Sequence, residues 1–222
     1  MSVTLAFDVY GTLIDTHGVI TKLNNLVGDK SKTFSQTWRD KQLEYSFRRG
    51  LMQNYQSFAV CTSQALDYTC AFYQVTFTDE QKSELLGIYR ALPAFKDVKK
   101  ALINLRAARF YLYAFSNGSK EAVEMLLTTA GIRDLFHGVI SCEDLKSFKP
   151  NPGVYSHFLR QSESTGDNAW LISGNPFDVI GAISAGMKGA WVKRSADAIF
   201  DPWEIKPTIT VSSLSELTET LY

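Results

Sequence analysis

The sequence predicts an α/β fold, a doubly wound (Rossmann-like) parallel sheet core with an inserted helical cap. Three observations support this. Residues 3–8 form an apolar run that is too short for a helix and ends on a carboxylate. Residues 17–92 carry apolar side chains at helical spacing and no convincing strand. From residue 96 onwards helical and extended patterns alternate, which is typical of a parallel sheet covered on both faces.

The elements of the core follow in order after residue 93. We predict helices at 96–107, 120–132, 151–161 and 176–186, and strands at 109–116, 138–142, 169–173, 189–194 and 208–213. Gly131 is expected to close the second of these helices and Pro152 to open the third. The simplest organisation is therefore a core domain of residues 1–16 and 93–222 and a helical cap domain of residues 17–92.

Periodicity supports three stretches of helix inside the cap. Two sets of residues fall at helical spacing, namely Leu51, Met52, Tyr55 and Phe58, and then Ala65, Leu66, Thr69 and Tyr73. Thr78, followed three residues later by Gln81, forms a predicted capping box ahead of the periodic Leu85, Leu86 and Tyr89. We therefore expect the cap to be helical throughout.

Composition excludes several functional classes. The chain has 222 residues, of which 45% are hydrophobic, as in an ordinary globular enzyme. Lys+Arg and Asp+Glu both number 23, which argues against a nucleic-acid partner, because nucleic acids demand clustered positive charge. We find no run of about 20 apolar residues for a membrane span and no secretory signal at the N-terminus, so we expect a cytoplasmic protein without a membrane partner.

Cysteine and histidine usage indicates neither a disulfide framework nor a zinc site. The three cysteines are Cys61, Cys70 and Cys142. They form no C-x-x-C pair, and their odd number favours buried free thiols. The three histidines are too scattered in sequence to suggest a zinc site.

Polar residues gather at the predicted carboxyl ends of the strands, where doubly wound sheets bind their ligands. They are Asp8, Thr12, Ser116, Asn117, Lys149, Ser173, Asn175 and Asp178. Four different strand ends supply these side chains. Their convergence indicates a functional site more strongly than any single member does.

Each of these residues also has a structural interpretation. Asp8 can cap the turn that follows it, Asn175 can cap the next helix, and Asp178 can favour the dipole of that helix. Residues 116–118 can be only a turn, and Lys149 can be a solvated loop lysine. Together these interpretations require several coincidences at one edge of the sheet. We therefore favour a functional site.

The same segments resemble the four motifs of the haloacid dehalogenase superfamily. The segments are DVYGT (8–12), Ser116 with Asn117, Lys149 with Pro150, and SGNPFD (173–178). Within the superfamily the chain resembles the L-2-haloacid dehalogenases further, through WRDKQLEY (38–45) in the cap and KPNPGVY (149–155). The resemblance spans essentially the whole chain, including an early helical cap.

Two departures separate this sequence from the phosphatases of that superfamily. The phosphatase pattern has an acid two residues after the nucleophile, where this chain has Tyr10, and a metal-binding acid where it has Gly174. A departing halide is a weak base that needs no proton, and a cation such as Arg39 or Lys149 can take the place of a metal. The alternatives are a Mg-dependent phosphatase of the same superfamily and a catalytically silent binding module.

The resemblance implies covalent catalysis by Asp8 without a cofactor or metal. Its carboxylate would displace halide from carbon 2 of a short L-2-haloalkanoic acid and form an ester. Water would then hydrolyse the ester to a D-2-hydroxy acid, with inversion at carbon 2. The family is typically homodimeric, and the aromatic-rich cap helices could provide the interface.

The resemblance also implies which residues contact the substrate. The halide cradle would be Arg39, Asn117 and Phe177, and the carboxylate would bind Ser116 and the backbone near Val9 and Tyr10. The apolar wall of the pocket would be Tyr10, Leu43 and Phe58, although ordinary cap packing also explains the last two. Arg39 and Leu43 are four residues apart and so share a helix face.

The resemblance implies that the remaining motif residues act on Asp8 and on the hydrolytic water and do not bind the halide or the alkyl group. Lys149 would offset the negative charge around Asp8. Thr12 and Tyr155 would orient these groups. Asp178, with Ser173 and Asn175, would position or activate the hydrolytic water.

Overall fold

Six parallel strands form one sheet in the computed structural model, which describes residues 3–221. They are β1 (Thr4–Phe7), β2 (Tyr111–Ser116), β3 (Gly138–Ser141), β4 (Ala169–Ser173), β5 (Lys188–Val192) and β6 (Ile209–Val211). Their order is β3-β2-β1-β4-β5-β6. The order reverses between β1 and β4, so a crevice opens beyond the carboxyl ends of these two strands.

Helices cover the sheet in the predicted sequence of elements. Four of them, α1 (Gly18–Val27), α2 (Ser31–Leu51), α3 (Phe58–Tyr73) and α4 (Asp79–Ile88), lie within the predicted cap segment between β1 and β2, and a fifth, α5 (Val98–Ala107), follows them before β2. The others are α6 (Lys120–Thr129), α7 (Pro152–Gln161), α8 (Pro176–Ser184) and α9 (Leu217–Thr220). The capping box at Thr78 and the helix end at Gly131, whose φ is +67°, are confirmed. The doubly wound α/β prediction is correct.

The central strand is buried on both of its faces. Leu5 and Phe7 of β1 pack into one apolar cluster, whereas Ala6 between them packs into a second cluster with Phe115 and Leu171. This alternation follows the two-residue period of a strand. Burial on both sides explains why β1 is apolar from Leu5 to Phe7, up to the carboxylate of Asp8 that follows it.

The predicted helical spacing through Leu51, Met52, Tyr55 and Phe58 is wrong. Helix α2 ends at Leu51, and α3 starts only at Phe58. Leu51 and Met52 are 86% and 64% exposed, so they do not belong to a buried helix face. Gln53 adopts a φ of +53°, and the Ser57 side chain caps α3 by accepting from the amide of Val60. These local features end one helix and start another, and they override the periodicity.

The chain enters and leaves the helical segment at neighbouring points. Residues 13–15 run antiparallel to residues 93–95: the Phe95 amide donates to the Leu13 carbonyl at 3.0 Å, and the Asp15 amide donates to the Pro93 carbonyl at 2.9 Å. We propose that these two paired segments mark the boundary between the core domain and the cap domain. This boundary corresponds to the predicted divisions after residue 16 and before residue 93. One apolar cluster continues across the boundary and includes both Trp38 and Phe7.

Two further expectations concern the cysteines and the membrane. The three cysteines are buried and free, which confirms that they form no disulfide framework. Within residues 3–221, none of the helices combines the length and apolar character needed to span a bilayer.

Candidate active site

Asp8 stands at the carboxyl end of β1, above a tight turn. Its amide donates to the Ile172 carbonyl at 3.0 Å, which anchors it to the neighbouring strand β4. The amides of residues 12–14 all donate to the Val9 carbonyl, and Gly11 adopts the left-handed φ of +79° that the turn requires. The chain thereby curls back, so that Thr12 lies beside the Asp8 side chain.

The two oxygens of the Asp8 carboxylate have different surroundings. Oδ2 accepts from the Thr12 hydroxyl at 2.7 Å, the Asn175 amide at 2.7 Å and the Ser173 hydroxyl at 3.3 Å. Oδ1 accepts from the Lys149 ammonium at 3.2 Å, its sole bonding partner among the described residues. The carboxylate is therefore held in one orientation with one oxygen less engaged than the other.

Lys149 is a buried cation between two carboxylates. Its Nζ donates to Asp178 Oδ2 at 2.8 Å and to the Phe115 carbonyl at 2.8 Å, besides the bond to Asp8. Burial alone would lower the pKa of Lys149, but the carboxylates of Asp178 and Asp8 outweigh it and raise that pKa above its usual value. Lys149 therefore remains charged at neutral pH, and the solvated-loop interpretation of this residue is wrong.

Asp178 lies in the first turn of α8, completely buried behind Lys149. Its Oδ1 accepts from the Tyr155 hydroxyl at 2.8 Å, and its Oδ2 accepts from Lys149. Burial raises the pKa of Asp178 above its usual value, and the nearby Asp8 adds to this, whereas Lys149 and Tyr155 act in the opposite direction. The pKa of Asp178 is therefore closer to neutral pH than the pKa of an exposed aspartate.

Asn175 occupies the N-cap position of α8, but its side chain does not cap the helix. Its Nδ2 instead donates to Asp8 Oδ2 and, at 3.2 Å, to the Tyr10 carbonyl. The capping interpretation of this side chain is therefore wrong. The physical reason is that the approach of β4 to β1 brings a carboxylate within reach, and a charged acceptor forms the stronger hydrogen bond.

The cap supplies Arg39 and Leu43, one turn apart on α2, to a cavity above Asp8. The cavity is lined by Asp8, Tyr10, Arg39, Leu43, Phe58, Ser116, Asn117, Lys149, Asn175 and Phe177. It holds about 10 Å³, so cap and core are closed over the carboxylate. A larger surface cavity of about 510 Å³, lined by residues including Tyr45 and Arg48, contains none of the polar strand ends. The polar residues that line the smaller cavity, and not the volume of either cavity, therefore identify the candidate active site.

The other predicted site residues lie behind this cavity. They are Val9, Thr12, Tyr155, Ser173 and Asp178, all buried. Each reaches the site through hydrogen bonds of its side chain or, in the case of Val9, through the carbonyl that closes the turn. The Asn117 side chain accepts from the Lys149 amide at 2.8 Å, and the Ser116 hydroxyl accepts from the Gly118 amide at 3.1 Å.

Tyr10 stands at the position where the phosphatase pattern has its general acid, and its aromatic ring forms part of the cavity wall. Its ring packs against Phe58 and Tyr89, with centroids 6.3 Å and 6.4 Å away. Burial raises the pKa of Tyr10 to about 12, although the positive charge of Arg39 partly offsets it. A phenol of that pKa is a poor proton donor at neutral pH, so the position suits a leaving group that departs without a proton.

Sequence reasoning missed three residues around the site. Gln42 accepts a hydrogen bond from Arg39. The Phe47 ring packs on the Phe177 ring, with centroids 5.1 Å apart. Arg194 donates to the Thr12 carbonyl and also forms an ion pair with Asp97. The i+3 spacing of Arg39 and Gln42 was the one available signal. The contacts of Phe47 and Arg194 bridge distant segments, and nothing in the local sequence indicates them.

Known proteins share this architecture. Residues 5–192 match the family described as haloacid dehalogenase-like hydrolase. The chain is 34% identical over 217 residues to an (S)-2-haloacid dehalogenase of Pseudomonas putida, covering 98% of this chain and 95% of that protein. It is also 34% identical over 207 residues to haloacetate dehalogenase H-2 of Moraxella sp. (strain B), covering 93% and 92% of the two chains.

A solved structure of a haloacid dehalogenase has the same fold as this chain over its whole length. L-2-haloacid dehalogenase from Xanthobacter autotrophicus, with chloropropionic acid covalently bound, matches with a TM-score of 0.91 and 27% identity. The match covers 100% of this chain and 98% of that one. On this evidence the chain belongs to the family of haloacid dehalogenase-like hydrolases.

Proposed function

We propose that the protein is an (S)-2-haloacid dehalogenase, which hydrolyses short-chain L-2-haloalkanoic acids to D-2-hydroxyalkanoic acids. One observation carries the proposal: the Asp8 carboxylate and the Arg39 guanidinium line the same closed cavity. A nucleophile and an anion-binding cation thus line one cavity between α2 and the carboxyl end of β1. The names of the relatives from Pseudomonas putida and Xanthobacter autotrophicus support the same substrate class.

In the first step Oδ1 of Asp8 attacks carbon 2 from the side opposite the halogen. Oδ1 is the attacking oxygen in this proposal because Oδ2 is engaged by three donors. The carbon–halogen bond breaks with its electron pair, and the halide leaves towards Arg39, Asn117 and Phe177. Ser116 and the backbone near Val9 and Tyr10 hold the substrate carboxylate, and Leu43 and Phe58 contact its alkyl group.

In the second step water attacks the side-chain carbonyl carbon of Asp8, and the bond from that carbon to Oδ1 then breaks. The D-2-hydroxy acid leaves with Oδ1 as its hydroxyl oxygen and takes one proton of the water, the second proton is lost, and the water oxygen remains in the restored Asp8 carboxylate. Once Oδ1 carries the ester, Oδ2 is the carbonyl oxygen that becomes negative in the tetrahedral intermediate. Its three donors, Thr12, Ser173 and Asn175, are already in place and would stabilise that charge. We assign to Asp178, with Ser173 and Asn175, the positioning or activation of the water, because its raised pKa suits a base.

The residues at this site do not fit the Mg²⁺ of a phosphatase. Asp8 and Asp178 already share the ammonium group of Lys149, which stands between them. A Cβ at Gly174 would lie 2.7 Å from the Gly11 carbonyl oxygen, so the backbone leaves no room for an acid there. Within residues 3–221 no three His, Cys, Asp or Glu side chains come together in a metal-binding group. The phosphatase alternative is therefore not favoured.

Halide release from L-2-chloropropionate, measured beside phosphate release from p-nitrophenyl phosphate, tests the proposal. We expect chloride and D-lactate from the first compound and no turnover of the second. Activity should survive dialysis against EDTA and should not rise when Mg²⁺ is titrated back, because Lys149 supplies the positive charge. Phosphate release, or a loss restored by stoichiometric Mg²⁺, would contradict the metal-free mechanism.

We further propose that the protein is a homodimer formed through its cap helices. Support comes from large apolar side chains at the surface of α2, α3 and the segment between them, namely Leu51, Met52, Tyr68 and Phe72. Light scattering coupled to size-exclusion chromatography should give twice the chain mass of 24.9 kDa. A Phe72→Glu variant should shift the mass towards that of one chain, because it places a charge in the apolar surface. A wild-type mass of one chain would refute the proposal.

A further inference from the structure

A series of hydrogen bonds leads from the half-buried Arg39 into the buried interior of the cap. Arg39 Nη1 donates to Gln42 Oε1 at 2.7 Å, and Gln42 Nε2 donates to the Thr62 hydroxyl at 2.5 Å. The Thr62 hydroxyl in turn donates to the Phe58 carbonyl at 2.8 Å. These contacts join α2 to α3, and they start at the cation that lines the reaction cavity and end at an aromatic wall of the same cavity.

The direction of each hydrogen bond in this series is determined. The hydroxyl of Thr62 has one hydrogen, and it goes to the Phe58 carbonyl, which is an acceptor only. Thr62 must therefore accept from Gln42, so the amide NH₂ of Gln42 points to Thr62 and its carbonyl oxygen points to Arg39. Arg39 is a donor only, and it meets an acceptor. The series is satisfied in this one orientation.

Burial makes this arrangement rigid. Gln42 and Thr62 are 2% and 6% exposed. Trp38, fully buried, donates from its ring nitrogen to the Thr62 carbonyl at 2.9 Å, one turn of α2 before Gln42. A buried amide that lost its partner would leave unsatisfied polar atoms, which costs more than the bond itself contributes. Gln42 therefore has little freedom, and it limits the freedom of the guanidinium that it holds.

We propose that Gln42 is a positioning residue for Arg39, and that Thr62 holds Gln42 in the orientation this task needs. The inference rests on the proposed function, in which Arg39 receives the departing halide. Gln42 would hold one arm of the guanidinium, so that its other donors face the halide as the carbon–halogen bond breaks. A misplacement of about 1 Å at such a group can cost roughly 100-fold in rate.

A double-mutant cycle separates positioning from packing. We expect Gln42→Met to lower kcat/KM for L-2-chloropropionate by about 10- to 100-fold. The loss should be larger for the chloro than for the bromo compound, because chloride is the poorer leaving group and depends more on Arg39. In an Arg39→Lys background the same change should cause little further loss, because the group that it positions is already altered.

Matched variants control for damage to the cap. Gln36→Met changes an exposed glutamine of the same helix and should leave turnover and Tm unchanged. Thr62→Val removes the hydroxyl that fixes Gln42, whereas Thr62→Ser retains it. The valine variant should therefore show the altered chloride-to-bromide ratio and the serine variant should not. This pair decides the question even if Gln42→Met fails to fold.

The outcomes also distinguish the inference from the function on which it rests. If the wild-type protein releases no halide, the proposed function fails. If it does release halide but the losses from Gln42→Met and Arg39→Lys simply multiply, Gln42 acts independently of Arg39 and the inference is wrong. An unchanged chloride-to-bromide ratio in both Gln42→Met and Thr62→Val would overturn it as well.

Discussion

Asp8→Asn is expected to abolish halide release, with a fall in kcat of at least about 10⁴-fold, the scale on which removal of a catalytic nucleophile acts. The amide has nearly the same shape as the carboxylate, but it lacks the charge that displaces the halide. It also presents an NH₂ group to surroundings that consist of donors, namely Thr12, Asn175 and Lys149. As a control, Asp15→Asn changes a carboxylate seven residues away, outside the cavity, and should retain activity.

Isotope labelling tests the covalent step itself. In heavy-oxygen water, and with enzyme in excess over L-2-chloropropionate, a single turnover should place the label in the Asp8 side chain. The first hydroxy acid released should be unlabelled, because its oxygen comes from the carboxylate. Mass spectrometry of the peptide that contains Asp8 provides the measurement. Immediate label in the product with none in Asp8 would mean that water attacks carbon 2 directly.

Lys149→Met is expected to remove activity and also to destabilise the fold. It leaves Asp8 and Asp178 buried close to each other without the cation that pairs with both. Removal of one partner from a buried ion pair costs about 3–5 kcal/mol. Urea unfolding followed by circular dichroism would measure this loss, and halide release would measure the activity. Lys99→Met, which changes an exposed lysine of α5, should show neither effect.

The loss of stability in Lys149→Met should depend on pH in a defined direction. Burial already raises the pKa of Asp178, and Lys149 opposes this effect. Without Lys149 the folded-state pKa rises further above the unfolded value. Stability is then present at low pH, where both states bind the proton, and is lost as pH rises through the folded-state pKa. The gap in Tm between variant and wild type should therefore widen from about pH 5 to about pH 8.

A second substitution tests this explanation. Asp178→Asn in the Lys149→Met background removes one of the two unpaired carboxylates. It should recover part of the lost stability and flatten the dependence on pH, while activity remains absent. If Lys149→Met alone were as stable as the wild type at neutral pH, the bridging role of Lys149 would be contradicted.

The sequence by itself determined the class of fold and the ingredients of the site. Apolar periodicity separates strands from helices over short stretches, so β1, β4 and the helices around them were predictable within a few residues. In a parallel sheet the carboxyl ends of the strands share one edge, so the polar residues there had to meet. Local turn and cap chemistry was harder to foresee where it overrides periodicity, as between Leu51 and Phe58.

Only the tertiary structure decided how the ingredients are arranged. Lys149 lies 141 residues after Asp8, and no local pattern shows that its ammonium group bridges Asp8 and Asp178. The unequal surroundings of the two oxygens of Asp8, the closure of the cap over them and the hydrogen bond from Gln42 of α2 to Thr62 of α3 arise in the same way. The physical reason is that these contacts join side chains from separate elements, so they depend on how the elements pack and not on the residues beside them in the chain.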